Sequence, residues 1–286
     1  MAQLPPLTER LDWNYGQVVR LVGYQVGDRN LQAGQDKVVT LCWETLSTPD
    51  KDYAFALHIV APDGSMIGAR DSYHGLGRYP SSAWREGDCF CDQVRVGITD
   101  NLALAQLYQM VVTVYDPNTL EALPTTDAAG ASAPTFVGWL KTPSMACFPE
   151  DALIPSADIR FGETISLLAY TYQASPEPQI TLYWQASGSV GGNFSIFVHV
   201  IDEAGRIATQ ADSQPRGGLY PTWLWEPGEV IEDTHPLDID ALSEARDYRV
   251  WVGLYDPVTA QRLPLMVSGR PVADNAFELR GVSPSR

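Results

Sequence analysis

The stretch GRYPSSAWREGDCFCD, Gly77 to Asp92, returns later in the same chain as GLYPTWLWEPGEVIED, Gly218 to Asp233. Tyr79 and Tyr220, Trp84 and Trp225, and Asp92 and Asp233 stand at one offset of 141 positions (225 minus 84). The same register pairs His58 with His199, Gly64 with Gly205 and Asp71 with Asp212. After a single deletion, Tyr115-Asp116-Pro117 meets Tyr255-Asp256-Pro257, and Leu123-Pro124 meets Leu263-Pro264. NYGQVVRLVGYQV, from Asn14, runs parallel to RFGETISLLAYTY, from Arg160. So many coincidences in one register read as a tandem duplication. The 286 residues then divide into two units, 1–141 and 142–286. The seam lies near KTPSMACFPEDALIPS, whose prolines suit a short, stiff connector. A unit of roughly 140 residues buries enough surface to fold without a metal or a disulfide.

Within each unit the hydrophobic period is two. TLCWE and TLYWQ are short alternating runs of residues that fit a half-buried pleated surface. YAFALHIVAPDGSMIGARD reads as strand, Pro-Asp-Gly turn, strand, and FSIFVHVIDEAGRIATQAD repeats that plan with a looser turn at Gly205. YQMVVTVYDPNTLEALP and YRVWVGLYDPVTAQRLP are hairpins in which Asp bonds the turning backbone and Pro fixes φ. Helical periodicity is lacking; DNLALAQ is long enough for a turn or two. The expected class is all-β: two tandem antiparallel β-sandwiches, jelly-roll or immunoglobulin-like.

Composition narrows the partners. The formal charge is −16, from 35 acidic and 19 basic residues, a sign that repels nucleic acid and anionic lipid. No apolar run is long enough for a membrane span, and the opening MAQLPPLTERLDW lacks the pattern of a secretion signal. Cys89 and Cys91 stand two apart and match neither a redox pair nor a zinc knuckle. Free buried thiols are expected at Cys42, Cys89, Cys91 and Cys147, the alternative being a bond from Cys147 to Cys89 or Cys91.

The repeated stretch carries the candidate site. Tyr-Pro marks an extended approach, and the Trp four residues after that proline precedes a Gly-containing turn. Such a Trp plugs the open end of a sandwich, or serves as a stacking platform for sugar rings. His58 and His199 lie among aliphatic neighbours and read as satisfied strand residues. Asp71, Asp212, Asp92 and Asp233 read as caps of backbone amides; no Asp-x-Asp-x-Asp calcium loop accompanies them, and no metal or cofactor is expected. Gly-x-Ser-x-Gly, His-Glu-x-x-His and phosphate-loop motifs are lacking, which points away from an enzyme. A glycoside hydrolase would need Asp71 or Asp212 in a carboxylate pair across a cleft. Residues that differ between the copies, Trp223 in place of Ser82 and Tyr73-His74 before the first loop, are the places for recognition. The expected contact residues are Tyr73, Tyr79, Trp84, Tyr220, Trp223 and Trp225.

The second copy, from ITLYWQA through GLYPTWLWEPGEVIED to YRVWVGLYDPVTAQRLP, resembles the soluble sandwich modules of large bacterial membrane proteins. These are the extracytoplasmic regions of dolichyl-phosphate-mannose glycosyltransferase-like proteins of filamentous phototrophs. The first copy resembles them through LHIVAPDGSMIGARD and VVTVYDPNTLEALP. The resemblance implies an accessory, extracytoplasmic or cell-surface role, with a glycan or a neighbouring envelope protein as partner. It brings no catalytic residues. The rival expectation is a purely structural spacer or assembly subunit.

Overall fold

The computed structural model describes residues 5–238, 242 and 247–282. The chain divides into two compact units, Met1–Ala103 with Leu107–Thr142, and Leu104–Gln106 with Pro143–Arg286. Among the described residues every regular element is a β-strand or a short 3-10 turn, and DNLALAQ forms no helix.

Among the described residues the first unit holds nine strands: β1 (Glu9–Tyr15), β2 (Val19–Val26), β3 (Asp36–Thr45), β4 (Ala54–Val60), β5 (Met66–Tyr73), β6 (Cys89–Gly97), β7 (Gln106–Tyr115), β8 (Thr125–Thr126) and β9 (Phe136–Thr142). They form one sheet of order β6-β3-β2-β1-β8 and a second of order β5-β4-β7-β9. The second unit holds β10 (Ile159–Phe161), β11 (Ile165–Gln173), β12 (Gln179–Ala186), β13 (Ser195–Asp202), β14 (Ile207–Gln210), β15 (Val230–Pro236), β16 (Tyr248–Tyr255), β17 (Leu265–Val267), β18 (Arg270–Pro271) and β19 (Phe277–Leu279). Its sheets run β15-β12-β11-β10-β17-β18 and β14-β13-β16-β19. Strand for strand this is the order of the first unit, with β18 added at one edge.

All strand pairs are antiparallel. In immunoglobulin lettering β2, β3 and β6 stand as A, B and E, and β5, β4, β7 and β9 as C′, C, F and G. The strand order is therefore immunoglobulin-like, a choice that strand count alone left open between two topologies.

Alternation explains how each unit closes. Phe55, Leu57 and Ile59 of β4 face Met110, Val112 and Val114 of β7, and together they pack on Val39, Leu41 and Trp43 of the other sheet. In the second unit Ile196, Val198 and Val200 of β13 take the same inner positions beside Val250, Val252 and Leu254 of β16. Each fully buried side chain of this size contributes roughly 1.5–3 kcal/mol. The Trp of TLCWE and of TLYWQ, Trp43 and Trp184, lies wholly inside, edge-on to Tyr15 and Phe161 respectively. The Tyr-Asp-Pro turns form as expected: Asp116 accepts from the Asn118 amide and Asp256 from the Val258 amide, both at 2.8 Å.

The cysteines depart from expectation. Cys42 and Cys91 are register partners on β3 and β6 and form a disulfide, while Cys89 and Cys147 are free and exposed. Four buried thiols, or a bond to Cys147, are both replaced. Cys42 is fully buried although it sits on the sheet face opposite Trp43. Its β2 register partner, Gly23, follows a β-bulge and has the β1 backbone close against it. Neither bulge nor cross-strand register is visible in cysteine spacing. The bond joins neighbours within one sheet, unlike the inter-sheet bond of antibody domains.

Iodoacetamide applied to the folded, unreduced protein is expected to modify Cys89 and Cys147 and to spare Cys42 and Cys91 in peptide mass spectra. Reduction removes a cross-link between residues 49 apart and should cost the first unit about 2–4 kcal/mol.

Candidate functional site

The repeated stretch belongs to the connection that crosses from one sheet to the other, β5 to β6 in the first unit and β14 to β15 in the second. That whole connection contains two 3-10 turns, His74–Gly77 and Ser81–Ala83, matched by Pro215–Gly218 and Thr222–Leu224, the repeated stretch starting at the last residue of the first turn. The first turn of each pair bends through the left-handed region: Gly75 and Leu76 at φ 59° and 55°, Arg216 and Gly217 at 53° and 64°. One glycine in each pair adopts that conformation freely; Leu76 and Arg216 hold it against Cβ crowding.

Asp92 and Asp233 hold the bend. Each accepts a backbone N–H from its start, Gly75 at 2.9 Å and Arg216 at 2.7 Å. Each also pairs with an imidazole, but from a different place. His74, in the loop itself, reaches Asp92 at 3.3 Å, and His235, two residues along β15, reaches Asp233 at 2.6 Å. Burial by itself pushes the Asp92 carboxyl up, but His74 and the Gly75 amide outweigh it and hold the group below its ordinary value.

The His235–Asp233 pair is almost wholly enclosed. His235 Nδ1 faces the Ala211 carbonyl, an acceptor, at 2.9 Å, and Nε2 lies 2.6 Å from an Asp233 carboxylate oxygen. A carbonyl and an ionised carboxylate can only accept, so this pair of contacts favours the doubly protonated ring. Burial alone pushes the pKa of His235 down; the Asp233 and Ala211 contacts outweigh burial and raise it.

The two Trp residues are sealed. Trp84 is 1% and Trp225 2% exposed, and each indole N–H donates to the carbonyl of the repeated Tyr, Tyr79 at 3.2 Å and Tyr220 at 3.1 Å. Around Trp84 the cover is aromatic, with Phe90 at 4.3 Å and Phe55 at 5.6 Å between ring centroids. On the repeat register Phe90 and Phe55 correspond to Ile231 and Ile196, both fully buried. The Tyr hydroxyl is used as well. Tyr79 donates to Asp88 at 3.2 Å, and Tyr220 to Glu229 at 2.8 Å. Burial, and then the Glu229 charge, push the Tyr220 hydroxyl far above the usual tyrosine range, so it remains a donor.

A third fastening is made by Ser81 and Thr222. Ser81 donates to the Lys51 carbonyl and accepts from the Tyr53 amide; Thr222 does the same with Gly192 and Phe194. These hydroxyls tie the loop to the β3–β4 and β12–β13 connections. These hydroxyls and the Asp88/Glu229 acids are not among the residues expected from the sequence, although each stands on the repeat register as a conservative exchange.

Of the six expected contact residues, Trp84, Tyr220 and Trp225 are enclosed and present no ring face to a ligand. Tyr73, Tyr79 and Trp223 are 42%, 38% and 38% exposed. Tyr73 and Tyr79 share the loop region of the first unit, and Trp223 belongs to the second. The acids weighed for glycoside hydrolysis are engaged internally. Asp71 bonds His58 at 3.0 Å and the Tyr115 hydroxyl at 3.1 Å, and Asp212 pairs with His199 at 3.2 Å. Among the described residues no group of three or more His, Cys, Asp or Glu side chains is placed to hold a metal. No described helix is long and apolar enough to cross a membrane.

No family model matches the sequence, and no curated protein does. Among solved structures, a DUF4785 family protein from Legionella pneumophila is similar at a TM-score of 0.24 and 12% identity. That match covers 89% of this chain and 57% of the other. A β-glucuronidase from Ruminococcus gnavus is similar at a TM-score of 0.16 and 12% identity, over 82% of this chain and 39% of the enzyme. The chain thus spans well under two-thirds of either neighbour. Likeness at this level carries no functional argument.

Trp84→Ala and Trp225→Ala are each expected to cost ~3–5 kcal/mol in urea unfolding, because a large enclosed ring and its N–H bond are lost together. The raised pKa of His235 also fixes a sign. Its stabilisation is complete below the unfolded value of about 6.5 and is lost as pH rises through the higher folded value. The melting temperature should therefore fall as pH rises from about 6.5 through that folded value in the wild type. In His235→Gln that component of the slope should be missing, and equal slopes in both proteins would refute the assignment.

Proposed function

We propose that this chain is a non-catalytic accessory module of a bacterial cell surface or envelope, descended from a duplicated sandwich. In this reading it contacts a glycan or a neighbouring envelope protein through the exposed residues Tyr73, Tyr79 and Trp223. The observation that carries the reading is a division of labour among the aromatics. Those shared by both copies and enclosed, Trp84 and Trp225, spend their rings and N–H groups inside the loop. Trp223, which has no counterpart in the first copy, keeps over a third of its surface open. A scaffold with a changed, aromatic-bearing loop is how immunoglobulin-like sandwiches commonly host recognition.

Two further features support the setting. The Cys42–Cys91 bond suits an oxidising compartment outside the cytoplasm. The resemblance to the soluble regions of glycosyltransferase-like membrane proteins points the same way. Against catalysis stands the use of Asp71, Asp92, Asp212 and Asp233 as partners of His, Tyr and backbone groups.

A second reading, a spacer or assembly subunit without a ligand, is favoured by the sealing of Trp84, Tyr220 and Trp225. Glycan-array binding separates the two. The accessory reading expects glycan signals that fall about tenfold or more in Trp223→Ala, the loss of one stacking ring. Null profiles from both proteins, with concentration-dependent association by light scattering, would favour the spacer.

A further inference from the structure

The outer face of the β13/β16 pair carries a pocket of about 300 Å³ in the second unit. Strand alternation sends Ile196, Val198 and Val200 inward and Phe197, His199 and Ile201 outward. Across the register Phe197 faces Gly253, His199 faces Trp251, and Ile201 faces Arg249. Phe197 lies over Gly253, where any Cβ would meet the ring at 2.5 Å. Arg262 stacks on the Phe197 ring at 4.4 Å and donates to the Asp274 carbonyl at 2.8 Å. A half-buried Trp251 forms the middle of the floor, with the Arg249 guanidinium 5.9 Å from its ring centre.

The first unit shows that the fold does not need these side chains. On the repeat register it has Ala56 for Phe197, Thr113 for Gly253, Val111 for Trp251, Gln109 for Arg249 and Ala122 for Arg262. The β4/β7 pair forms with the same partners in the same order, His58 opposite Val111 and Val60 opposite Gln109. What both units keep is the His–Asp pair, His58–Asp71 and His199–Asp212. The second unit alone adds two aromatic rings and two arginines to that face.

We propose that this pocket binds a small ligand bearing a single carboxylate on a flat, apolar-faced ring. Arg262 supplies the anchor. Its stack and its bond to a main-chain carbonyl fix the guanidinium, and among the described residues no carboxylate lies within ion-pair distance of it. A planar guanidinium fork matches a carboxylate in two parallel bonds. Trp251 supplies the apolar face on which a ring lies. Charge restricts the ligand to a monoanion. Asp274 lines the pocket, Glu278 stands 3.9 Å from Arg249, and Asp212 backs His199, so a phosphate dianion meets more repulsion than a carboxylate.

The site lies on the β13/β16 sheet face and shares no residue with the proposed glycan or protein contact, so its test is independent of theirs. Calorimetric titration of the intact chain uses benzoate and galacturonate as probes, benzamide and the galacturonate methyl ester as neutral counterparts, and inorganic phosphate. At least one of the two carboxylates should bind, its neutral counterpart and phosphate more weakly, and the one that binds identifies an aromatic or a sugar acid. Arg262→Ala and Trp251→Val install the residues that the first unit accepts at these positions, and each should weaken binding about tenfold or more while leaving the melting curve cooperative. Trp223→Ala should leave the carboxylate titration unchanged whatever it does to glycan arrays. No binding by either carboxylate, equal binding of a neutral counterpart, preference for phosphate, or full affinity in folded Arg262→Ala would each overturn the proposal.

Discussion

The enclosed indole of Trp84, and of Trp225 in the other unit, is the contact on which each sandwich end depends. A strand cannot pass from one sheet to the other without a stretch of irregular chain, and that stretch brings backbone groups needing partners. Here the ring fills the space beneath the crossing, and its N–H satisfies the carbonyl of the preceding Tyr. Ser81 or Thr222 fastens the loop to the neighbouring connection, and an acid receives the Tyr hydroxyl. The sixteen-residue repeat is thus a set of interlocking bonds in which each member answers a need created by another.

Where the two units differ, the need stays and the partner moves. Asp92 and Asp233 both hold a left-handed bend and both pair with an imidazole, yet His74 comes from the loop and His235 from the strand. A second exchange occurs on the outer face of the β4/β7 and β13/β16 pairs. Ala56 beside Thr113 in one unit becomes Phe197 over Gly253 in the other, so that the ring takes the space the missing side chain leaves. Such exchanges conserve packing, and they free the surrounding positions for other uses. The arginines and Trp251 of the second unit stand among those positions.

The disulfide belongs to one unit only. In place of Cys42 and Cys91 the second unit has Tyr183 facing Glu232 across the same strand pair, and β12 and β15 pair there without a covalent link. The bond therefore adds stability to a sheet that already has the geometry to form.

Much of this architecture was legible before any coordinates. The period of two in TLCWE and FSIFVHV, the Tyr-Asp-Pro turns and the repeat register led to an all-β chain of two sandwiches, because strand alternation and turn chemistry act over a few residues. Strand order was beyond reach, since TLCWE pairs with CFCDQVRV across a separation no local rule measures. The roles of single residues divided the same way. Trp84 and Trp225 were readable as plugs from their recurrence, whereas the cross-strand Cys42–Cys91 pair and the His235–Asp233 contact were not. By itself the sequence determined the kind of layer, the number of units and the positions that had to recur. Only tertiary structure decided which face each side chain meets and which distant group becomes its partner, because burial and hydrogen bonding are settled between strands that the chain brings together from far apart.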